Sequence, residues 1–264
     1  METVMLEPHV ATPFDKASKA DAAPLSRKQL AIREREKELM AIAREVVERE
    51  GFAHLTMDKI AAASDYSKGT VYNHFSSKED LIAALAIEAV LKEITFFQRA
   101  FNFEGTSRDK VVAMHAGYHI FSQLEPVMSM CAIVSRTSAV KEKASTARLA
   151  KLEEMEAKMV ALGEAFLQDG IQKGELVLPD ERVAHSIVFA NWAMAFGTNV
   201  LLNNAPESQC VSRLVRTDSA LVNVNFLLDG MGWLPLSSDV DYRAVWHRAE
   251  TTLFANEIAL LNPS

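Results

Sequence analysis

Apolar side chains along this chain recur three and four residues apart, and few helix-breaking residues interrupt them. One early helical face, which Gly51 would close, carries Leu39, Ile42, Ala43, Val46 and Val47. The 264 residues include only 10 Gly and 8 Pro, too few to punctuate a fold built from many short strands. The sequence therefore predicts an all-α protein.

Breaks in the helical pattern divide the chain into segments of different character. A chain of 264 residues is near the size at which single hydrophobic cores split, so we expect two domains. The sequence predicts a disordered lead-in at residues 1–26, a small helical domain at residues 27–80 and a larger helical bundle at residues 81–264. Within the bundle we expect helices near residues 107–123, 125–135, 138–173, 180–204, 208–230 and 240–261.

The two cysteines and the lengths of the apolar runs indicate the cellular compartment of the protein. Cys131 and Cys210 are far apart and in no metal-binding or redox spacing, which favours free thiols in a reducing compartment. The N-terminal segment lacks the basic stretch and long apolar core of a secretory signal. The longest apolar runs, such as IVFANWAMAFGTNVLL, are shorter than the roughly 20 residues of a membrane span. We therefore expect a soluble cytoplasmic protein with no membrane partner.

Two short helices joined by the tight turn SDYS lie between Thr56, a predicted N-cap, and His74. This is the sequence form of a helix-turn-helix, whose second helix lies in the major groove of DNA. The second helix, with Ser67 as its predicted cap, would present Lys68, Thr70, Tyr72, Asn73 and His74, while Val71 and Phe75 face inward. Gly69 leaves the backbone open to a phosphate, and Lys78 adds a cation near the start of the next helix, where Ser77 and Asp80 predict a capping box.

The segment LTMDKIAAASDYSKGTVYNHFSSKEDLIAAL resembles the DNA-binding signature of the TetR family of transcriptional regulators. In that signature a Thr opens the second helix, Ile-Ala follows, and the pattern closes on Gly-Thr-x-Tyr-x-His-Phe and Ser-Lys-Glu-x-Leu. The match runs from about Leu39 to Leu91, and its turn departs from the family's Ala-Gly-Val, with Ser64 as a capping residue. The resemblance implies phosphate contacts from Thr56, Tyr72, His74 and Lys78, and base-edge contacts from Ser67, Lys68, Thr70 and Asn73.

The charge of the chain is unevenly distributed. Residues 27–80 carry ten basic and ten acidic side chains, so the net charge of -7 lies outside this region. An acidic remainder weakens non-specific attraction to DNA and leaves binding to the local patch. Arg27 and Lys28, just before the first helix, are candidates for a minor-groove arm, although a solvated tail is the favoured interpretation.

The resemblance implies that the larger region is a ligand-binding and dimerisation domain. A homodimer would read the two halves of a palindromic operator in double-stranded DNA, and a small-molecule effector would change the spacing of its recognition helices. In this chain the dimer would be formed by helices 180–204 and 208–230, with contacts from Val188, Trp192, Leu221 and Phe226. The sequence predicts an additional helix at residues 239–261 and leaves its role open.

Large, adaptable apolar side chains are frequent in the middle of the chain. They suit a pocket for an apolar or amphipathic ligand, with ordinary core packing as the alternative: Met114, Tyr118, Phe121, Met128, Met159, Phe166, Trp192 and Phe196. His115 and His119 are spaced to chelate a metal, but no third ligand is evident. A histidine pair satisfied within the core is therefore the favoured interpretation, and we expect no metal and no cofactor.

The leading functional hypothesis is a homodimeric repressor that a small apolar or amphipathic ligand releases from its operator. We expect no catalysis, because no nucleophile, base and oxyanion arrangement is evident in the sequence. Two alternatives remain open at this point. One is an activator or a ligand-independent regulator, and the other is a small-molecule-binding helical protein whose DNA-binding motif is vestigial.

Overall fold

The computed structural model describes residues 26–180, 183–214 and 218–263 and contains, within those ranges, twelve α-helices, one 3₁₀ turn and no strand. The prediction of an all-α fold is confirmed. The helices are α1 Arg27–Glu50, α2 Met57–Ala63, α3 Lys68–His74, α4 Lys78–Phe101, α5 Ser107–Leu124, α6 Pro126–Val134, α7 Ser138–Lys143, α8 Thr146–Gln172, α9 Ala184–Asn204, α10 Ser219–Gly230, α11 Tyr242–Thr252 and α12 Ala255–Leu261. None of these described helices combines the length and the apolar character needed to cross a membrane.

The chain divides into two units, residues 1–38 and residues 39–264. The first is described from Ser26 onward, so the predicted lead-in lies almost wholly outside the described residues. Ser26 and Gln29 begin α1 with reciprocal hydrogen bonds between side chain and backbone, of 2.9 and 3.3 Å. Arg27 and Lys28 are therefore the first residues of α1 rather than an extended arm before it.

Within the second unit, α4 is the central element. Its side chains are buried on several faces, including those of Leu81, Leu85 and Ala89, which have no exposed area. This helix packs against α5, α6, α7 and α8, as expected for a helix that is apolar on nearly every side. The small helices α2 and α3 belong to the same core, which Ile60, Val71 and other side chains extend. The predicted domain boundary at Asp80 lies inside the second unit, which runs from residue 39 to residue 264. The boundary stays a prediction.

Three predicted helices have different boundaries in the structure. The segment 138–173 is broken at Ala144 and Ser145, which adopt extended backbone between α7 and α8. In the segment 208–230, the described residues up to Arg213 form turns, and α10 begins at Ser219. The segment 240–261 is broken after Thr252 into α11 and α12.

The C-terminal segment is an integral part of the second unit. The guanidinium of Arg108, at the start of α5, has no exposed area and forms a 2.6 Å ion pair with Asp229. It also donates to the Trp233 carbonyl oxygen over 2.6 Å and lies 4.5 Å from the centre of the Tyr242 ring. Because these partners come from α10, from α11 and from the loop between them, one buried cation fastens all three to α5.

Phe254, between α11 and α12, fastens the end of the chain to α4 and α5. Its ring has no exposed area and stacks on Phe96 with 5.2 Å between the ring centres. It occupies space next to Gly117 of α5, where a Cβ atom would approach the ring to 2.7 Å. The glycine therefore permits a close approach that a larger residue would prevent.

We predict that Phe254→Ala lowers the free energy of unfolding by about 3–5 kcal/mol, because it leaves a cavity in the core around α4. Urea unfolding of the full chain, followed by circular dichroism, measures the change. Leu260→Ala serves as the control, since Leu260 is 71% exposed on α12 and its loss should change stability by less than about 0.5 kcal/mol. Equal effects of the two substitutions would contradict an integral role for this segment.

Candidate nucleic-acid interface and ligand cavity

Side-chain caps fix where the two short helices begin, as predicted. The Thr56 hydroxyl accepts a 3.2 Å hydrogen bond from the Lys59 amide and starts α2. The Ser67 hydroxyl accepts a 3.2 Å hydrogen bond from the Thr70 amide and starts α3. These bonds satisfy amide groups that have no partner inside a helix, so both helices start at defined residues despite being seven residues long.

The turn between α2 and α3 is closed by Ser64 without a glycine. Its hydroxyl donates to the Ala61 carbonyl oxygen over 3.2 Å and accepts from the Tyr66 amide over 3.3 Å. Among the described residues, those with positive φ are all glycines, and none of them lies in this turn. The departure from the family's Ala-Gly-Val therefore leaves a turn of ordinary backbone geometry.

The two faces of α3 have opposite character. Val71 and Phe75 have no exposed area and belong to the core that also holds Leu39 and Ile60. The outward face exposes Lys68, Gly69, Tyr72 and Asn73, while Thr70 and His74 are half-buried. This arrangement presents polar groups to a neighbouring molecule and anchors the helix through its apolar side.

Several predicted DNA-contacting side chains are already paired with one another or with neighbours. The hydroxyl groups of Ser67 and Thr70 share a 2.9 Å hydrogen bond. Lys68 forms a 2.6 Å ion pair with Asp58, which raises the pKa of the lysine, and lies 5.9 Å from the centre of the Tyr72 ring. Because both members of the ion pair are largely exposed, it is weak and leaves Lys68 available to another partner.

Asp80 fastens α4 to the start of α8 and was not predicted to do so. Its carboxylate is 1% exposed and accepts hydrogen bonds from the Ser76 amide at 3.1 Å, from the Ser145 amide at 2.9 Å and from Arg148. Ser77 caps α4, because its hydroxyl group accepts a 3.0 Å hydrogen bond from the Asp80 amide. The Asp80 carboxylate accepts from the amide of Ser76 and not from that of Ser77, so the predicted capping box is shifted by one residue. Burial alone would raise the pKa of Asp80, yet the bonds from Ser145 and Ser76 and the charge of Arg148 hold it below its ordinary value.

Arg148 extends this connection to α3. Its guanidinium donates to the His74 carbonyl oxygen over 3.1 Å and lies 4.7 Å from the centre of the Phe75 ring. One arginine on α8 therefore contacts both the last turn of α3 and the first turn of α4. No local sequence signal identifies this link, because 68 residues separate Arg148 from Asp80.

A second site is a cavity of about 320 Å³ among α4, α5, α8 and α9. Five of the predicted ligand-binding residues line it: Met114, Tyr118, Met159, Phe166 and Trp192. Phe121 and Met128 do not, because they point into the core around α4 and have almost no exposed area. Phe196 is also absent from the lining, although its ring centre is 6.2 Å from that of Trp192.

The two histidines of α5 are bonded to asparagines of α9. His115 Nε2 lies 3.0 Å from Asn191 Oδ1, and His119 Nδ1 lies 2.6 Å from Asn199 Oδ1. Burial lowers the pKa of His115 to about 4 and also lowers that of His119. Nowhere in the described ranges do three His, Cys, Asp or Glu side chains gather in a group that could hold a metal. The histidines therefore join α5 to α9 as neutral hydrogen-bonding groups.

The predicted dimer contacts fall into different environments. Phe226 on α10 is 72% exposed and Trp192 on α9 is 43% exposed, so both are accessible to a partner. Leu221 is 3% exposed, which places it inside the protomer rather than on a contact surface. Val188 is half-buried, lines the cavity and faces Gly163 of α8. Phe189, 62% exposed on α9, was missed by the sequence reasoning and adds to the accessible apolar surface.

The N-terminal helices match known regulators in sequence. Residues 39–85 match the family model described as "Bacterial regulatory proteins, tetR family". The chain is 39% identical over 56 residues to an uncharacterized HTH-type transcriptional regulator of Mycobacterium tuberculosis, covering 21% of this chain and 28% of that protein. It is 34% identical over 76 residues to the DNA-binding transcriptional repressor TetR of Mycobacteroides abscessus, covering 29% of this chain and 38% of that protein. The aligned segment thus spans well under half the length of these curated relatives.

Solved structures resemble the chain over most of its length. A bacterial regulatory protein in the tetR family from Rhodococcus RHA1 has a TM-score of 0.58 at 17% identity, covering 76% of this chain and 98% of that one. The transcriptional regulator FadR from Bacillus subtilis, solved in complex with stearoyl-CoA, has a TM-score of 0.57 at 17% identity, covering 74% and 98%. At this identity the likeness is one of fold, and it extends beyond the helix-turn-helix into the helical bundle.

We predict that Asp80→Asn lowers the free energy of unfolding by about 2 kcal/mol at neutral pH, because it weakens three hydrogen bonds to a buried carboxylate. The pKa of Asp80 is depressed in the folded state, so its stabilisation is present above the unfolded-state pKa and is lost as pH falls through the folded-state pKa. The difference between wild type and variant should therefore persist down to about pH 4 and shrink below it.

Urea unfolding at several pH values between 7 and 3 measures this difference. Asp58→Asn is the matched control, because the Asp58 side chain is 69% exposed in its ion pair and its loss should matter little at any pH. A deficit for Asp80→Asn that stays constant down to pH 3 would contradict the assigned role of the carboxylate.

Proposed function

We propose that this chain is a DNA-binding transcriptional regulator of the TetR family and acts as a homodimeric repressor which a small ligand releases from its operator. The observation that carries the proposal is α3, a capped helix with an anchored apolar face and an outward polar face. Such a helix enters the major groove, where base edges present a distinct pattern for each base pair. The family and the fold are those of regulators, and we propose no catalytic activity.

The DNA contacts divide into two groups. We assign phosphate contacts to Thr56, Tyr72, His74 and Lys78, and base-edge contacts to Ser67, Lys68, Thr70 and Asn73, with Gly69 allowing close approach of the backbone. The partner is double-stranded DNA with a palindromic operator, since a two-fold dimer presents two equivalent recognition helices. This function places the protein with the DNA in the cytoplasm.

A second copy of the chain is the partner we propose for the exposed apolar residues of α9 and α10. Phe189, Trp192 and Phe226 together expose large aromatic side chains on these two helices, which pack against each other. Exposed aromatic groups of this kind are typical of protein interfaces. Val188 and Leu221, which the sequence also suggested, are less suited to this contact because they face inward.

The cavity and α3 are connected through α8, which suggests how a ligand acts on DNA binding. Met159 and Phe166 of α8 line the cavity, and Arg148 near the start of the same helix holds α3 and α4. A ligand that displaces α8 would therefore also displace the carbonyl group of His74 at the end of α3. The complex of Bacillus subtilis FadR with stearoyl-CoA, a protein of the same fold, supports an apolar or amphipathic effector.

Activation is the alternative to repression within the same framework. The helix-turn-helix serves either role, because the effect on transcription depends on where the operator lies. A promoter assay with and without the protein distinguishes the two outcomes.

We predict that Lys78→Ala weakens binding to all DNA sequences and reduces the dependence of log affinity on log salt by about one, because one phosphate contact is lost. Tyr72→Phe should also weaken binding across sequences, since it removes a hydroxyl group that donates to a phosphate. Asn73→Ala should instead change the preference among sequences, with about 1–3 kcal/mol lost at one base pair of the operator. Fluorescence anisotropy with labelled duplexes over a salt series measures all three variants.

Lys158→Ala is the matched control for the charge change, because Lys158 is a half-exposed lysine on α8, paired with Glu154. It should leave the salt dependence unchanged. Unaltered binding by Lys78→Ala, Tyr72→Phe and Asn73→Ala together would contradict the proposed interface.

We predict that Phe226→Asp converts the dimer to a monomer and thereby weakens operator binding, because it places a charge at the apolar contact. The monomer should stay folded, since Phe226 is 72% exposed. Sedimentation velocity measures the change in association. Val177→Asp, at a residue that is 79% exposed and lies outside α9 and α10, is the control and should leave the dimer intact. A dimer that survives Phe226→Asp would place the interface elsewhere.

A further inference from the structure

A carboxyl group faces the largely apolar cavity and is not explained by the fold. Glu93, on α4, lines the cavity and is 8% exposed. Its Oε1 atom receives no hydrogen bond from any described residue. Buried acceptors in proteins are nearly always paired, and leaving one unpaired costs free energy. The position therefore calls for a donor that the chain itself does not supply.

The donor groups that line the cavity with Glu93 make no hydrogen bond to its Oε1 atom. Arg136 forms a 3.2 Å ion pair with Glu156 and lies 5.5 Å from the centre of the Trp192 ring. The Tyr118 hydroxyl group also makes no hydrogen bond to Oε1 of Glu93. His115 is bonded to Asn191. A molecule inside the cavity can supply the donor that Oε1 of Glu93 lacks.

The charges that line the cavity favour a cationic occupant over an anionic one. Glu93 and Glu156 are acidic, while Arg136 is the one Lys or Arg among the described lining residues and is already matched by Glu156. His185 is paired with Glu164 at 3.3 Å, and burial keeps His115 neutral by lowering its pKa to about 4. Phe97, Tyr118 and Trp192 also line the cavity, and aromatic rings attract cations.

We propose that the cavity binds an apolar molecule carrying a protonated amine, whose ammonium group donates hydrogen bonds to the Glu93 carboxylate. The apolar part lies against the methionine and aromatic side chains of α5, α8 and α9. The inference rests on the proposed function, because it specifies the effector of the same regulator.

The proposal gives ligand affinity a definite pH dependence. Burial raises the pKa of Glu93 to about 8, a shift that the charge of Arg136 partly opposes. An ammonium group binds only the deprotonated carboxylate of Glu93. Below that pH, ligand binding therefore releases a proton from Glu93. Affinity should rise by up to roughly tenfold per pH unit as the pH approaches 8, and should level off above it. Among the other groups facing the cavity, His115 is neutral throughout this range, and burial raises the pKa of Tyr118 well above it.

Three probes with one tail and different head groups test the proposal: decylamine, decanol and decanoate. Isothermal titration calorimetry of the full chain, at pH 6.5 and pH 8.5, compares wild type with Glu93→Gln and Glu88→Gln. Glu88 is a matched control, because it lies on the same helix outside the cavity, where it is paired with Lys92. We expect wild type to bind decylamine at least about tenfold more tightly than decanol or decanoate at pH 8.5, a difference of about 1.4 kcal/mol. We also expect this preference to shrink at pH 6.5.

Glu93→Gln should remove both the preference for the amine and its pH dependence, while Glu88→Gln should keep both. The proposal is overturned if decanol or decanoate binds as tightly as decylamine, if none of the three binds, or if Glu93→Gln keeps the preference. DNA binding, measured on the same samples without probe, tests the proposed function separately. Normal DNA binding with no amine preference refutes the head-group assignment alone, whereas amine binding without DNA binding refutes the regulator.

Discussion

The buried carboxylate of Asp80 is the interaction on which the arrangement of this protein most depends. It accepts hydrogen bonds from the loop before α4, from the break between α7 and α8, and from Arg148. Arg148 in turn holds the end of α3. A charge removed from water is stable only when its partners are held in place, so this group fixes the recognition helix to the bundle. The geometry of α3 is therefore a property of the whole second unit and not of the small helices α2 and α3 alone.

The same connection suggests how the proposed regulator would respond to a ligand. A conformational change needs a ligand that interacts differently with two states of the protein. The cavity has α8 as one wall, and the Asp80–Arg148 contact lies at the other end of that helix. Therefore α8 joins the cavity to the Asp80–Arg148 contact, while the buried bonds from Arg108 and the packing of Phe254 hold the C-terminal helices against α5.

Sequence reasoning succeeded where the determinants are local. The caps at Thr56 and Ser67 and the inward face formed by Val71 and Phe75 depend on residues within one or two turns of each other. The break at Ala144 and Ser145 could not be predicted, because no Gly or Pro marks it and the Ser145 amide is bonded instead to Asp80. Glu93 gave no distinct signal in the sequence, because α4 carries other acidic residues such as Glu88, and its lack of a partner is visible only in three dimensions. Likewise, helical periodicity could not separate Met114, in the cavity, from Phe121, in the core.

The central claim is that α3 reads DNA sequence as one half of a two-fold dimer. Selection of bound duplexes from a random pool by the full chain, followed by sequencing, tests it most directly. The account predicts enrichment of one palindromic motif with half-sites about one helical turn apart, or a multiple of it. A pool that stays random, or that enriches a single half-site without its symmetric partner, would contradict it.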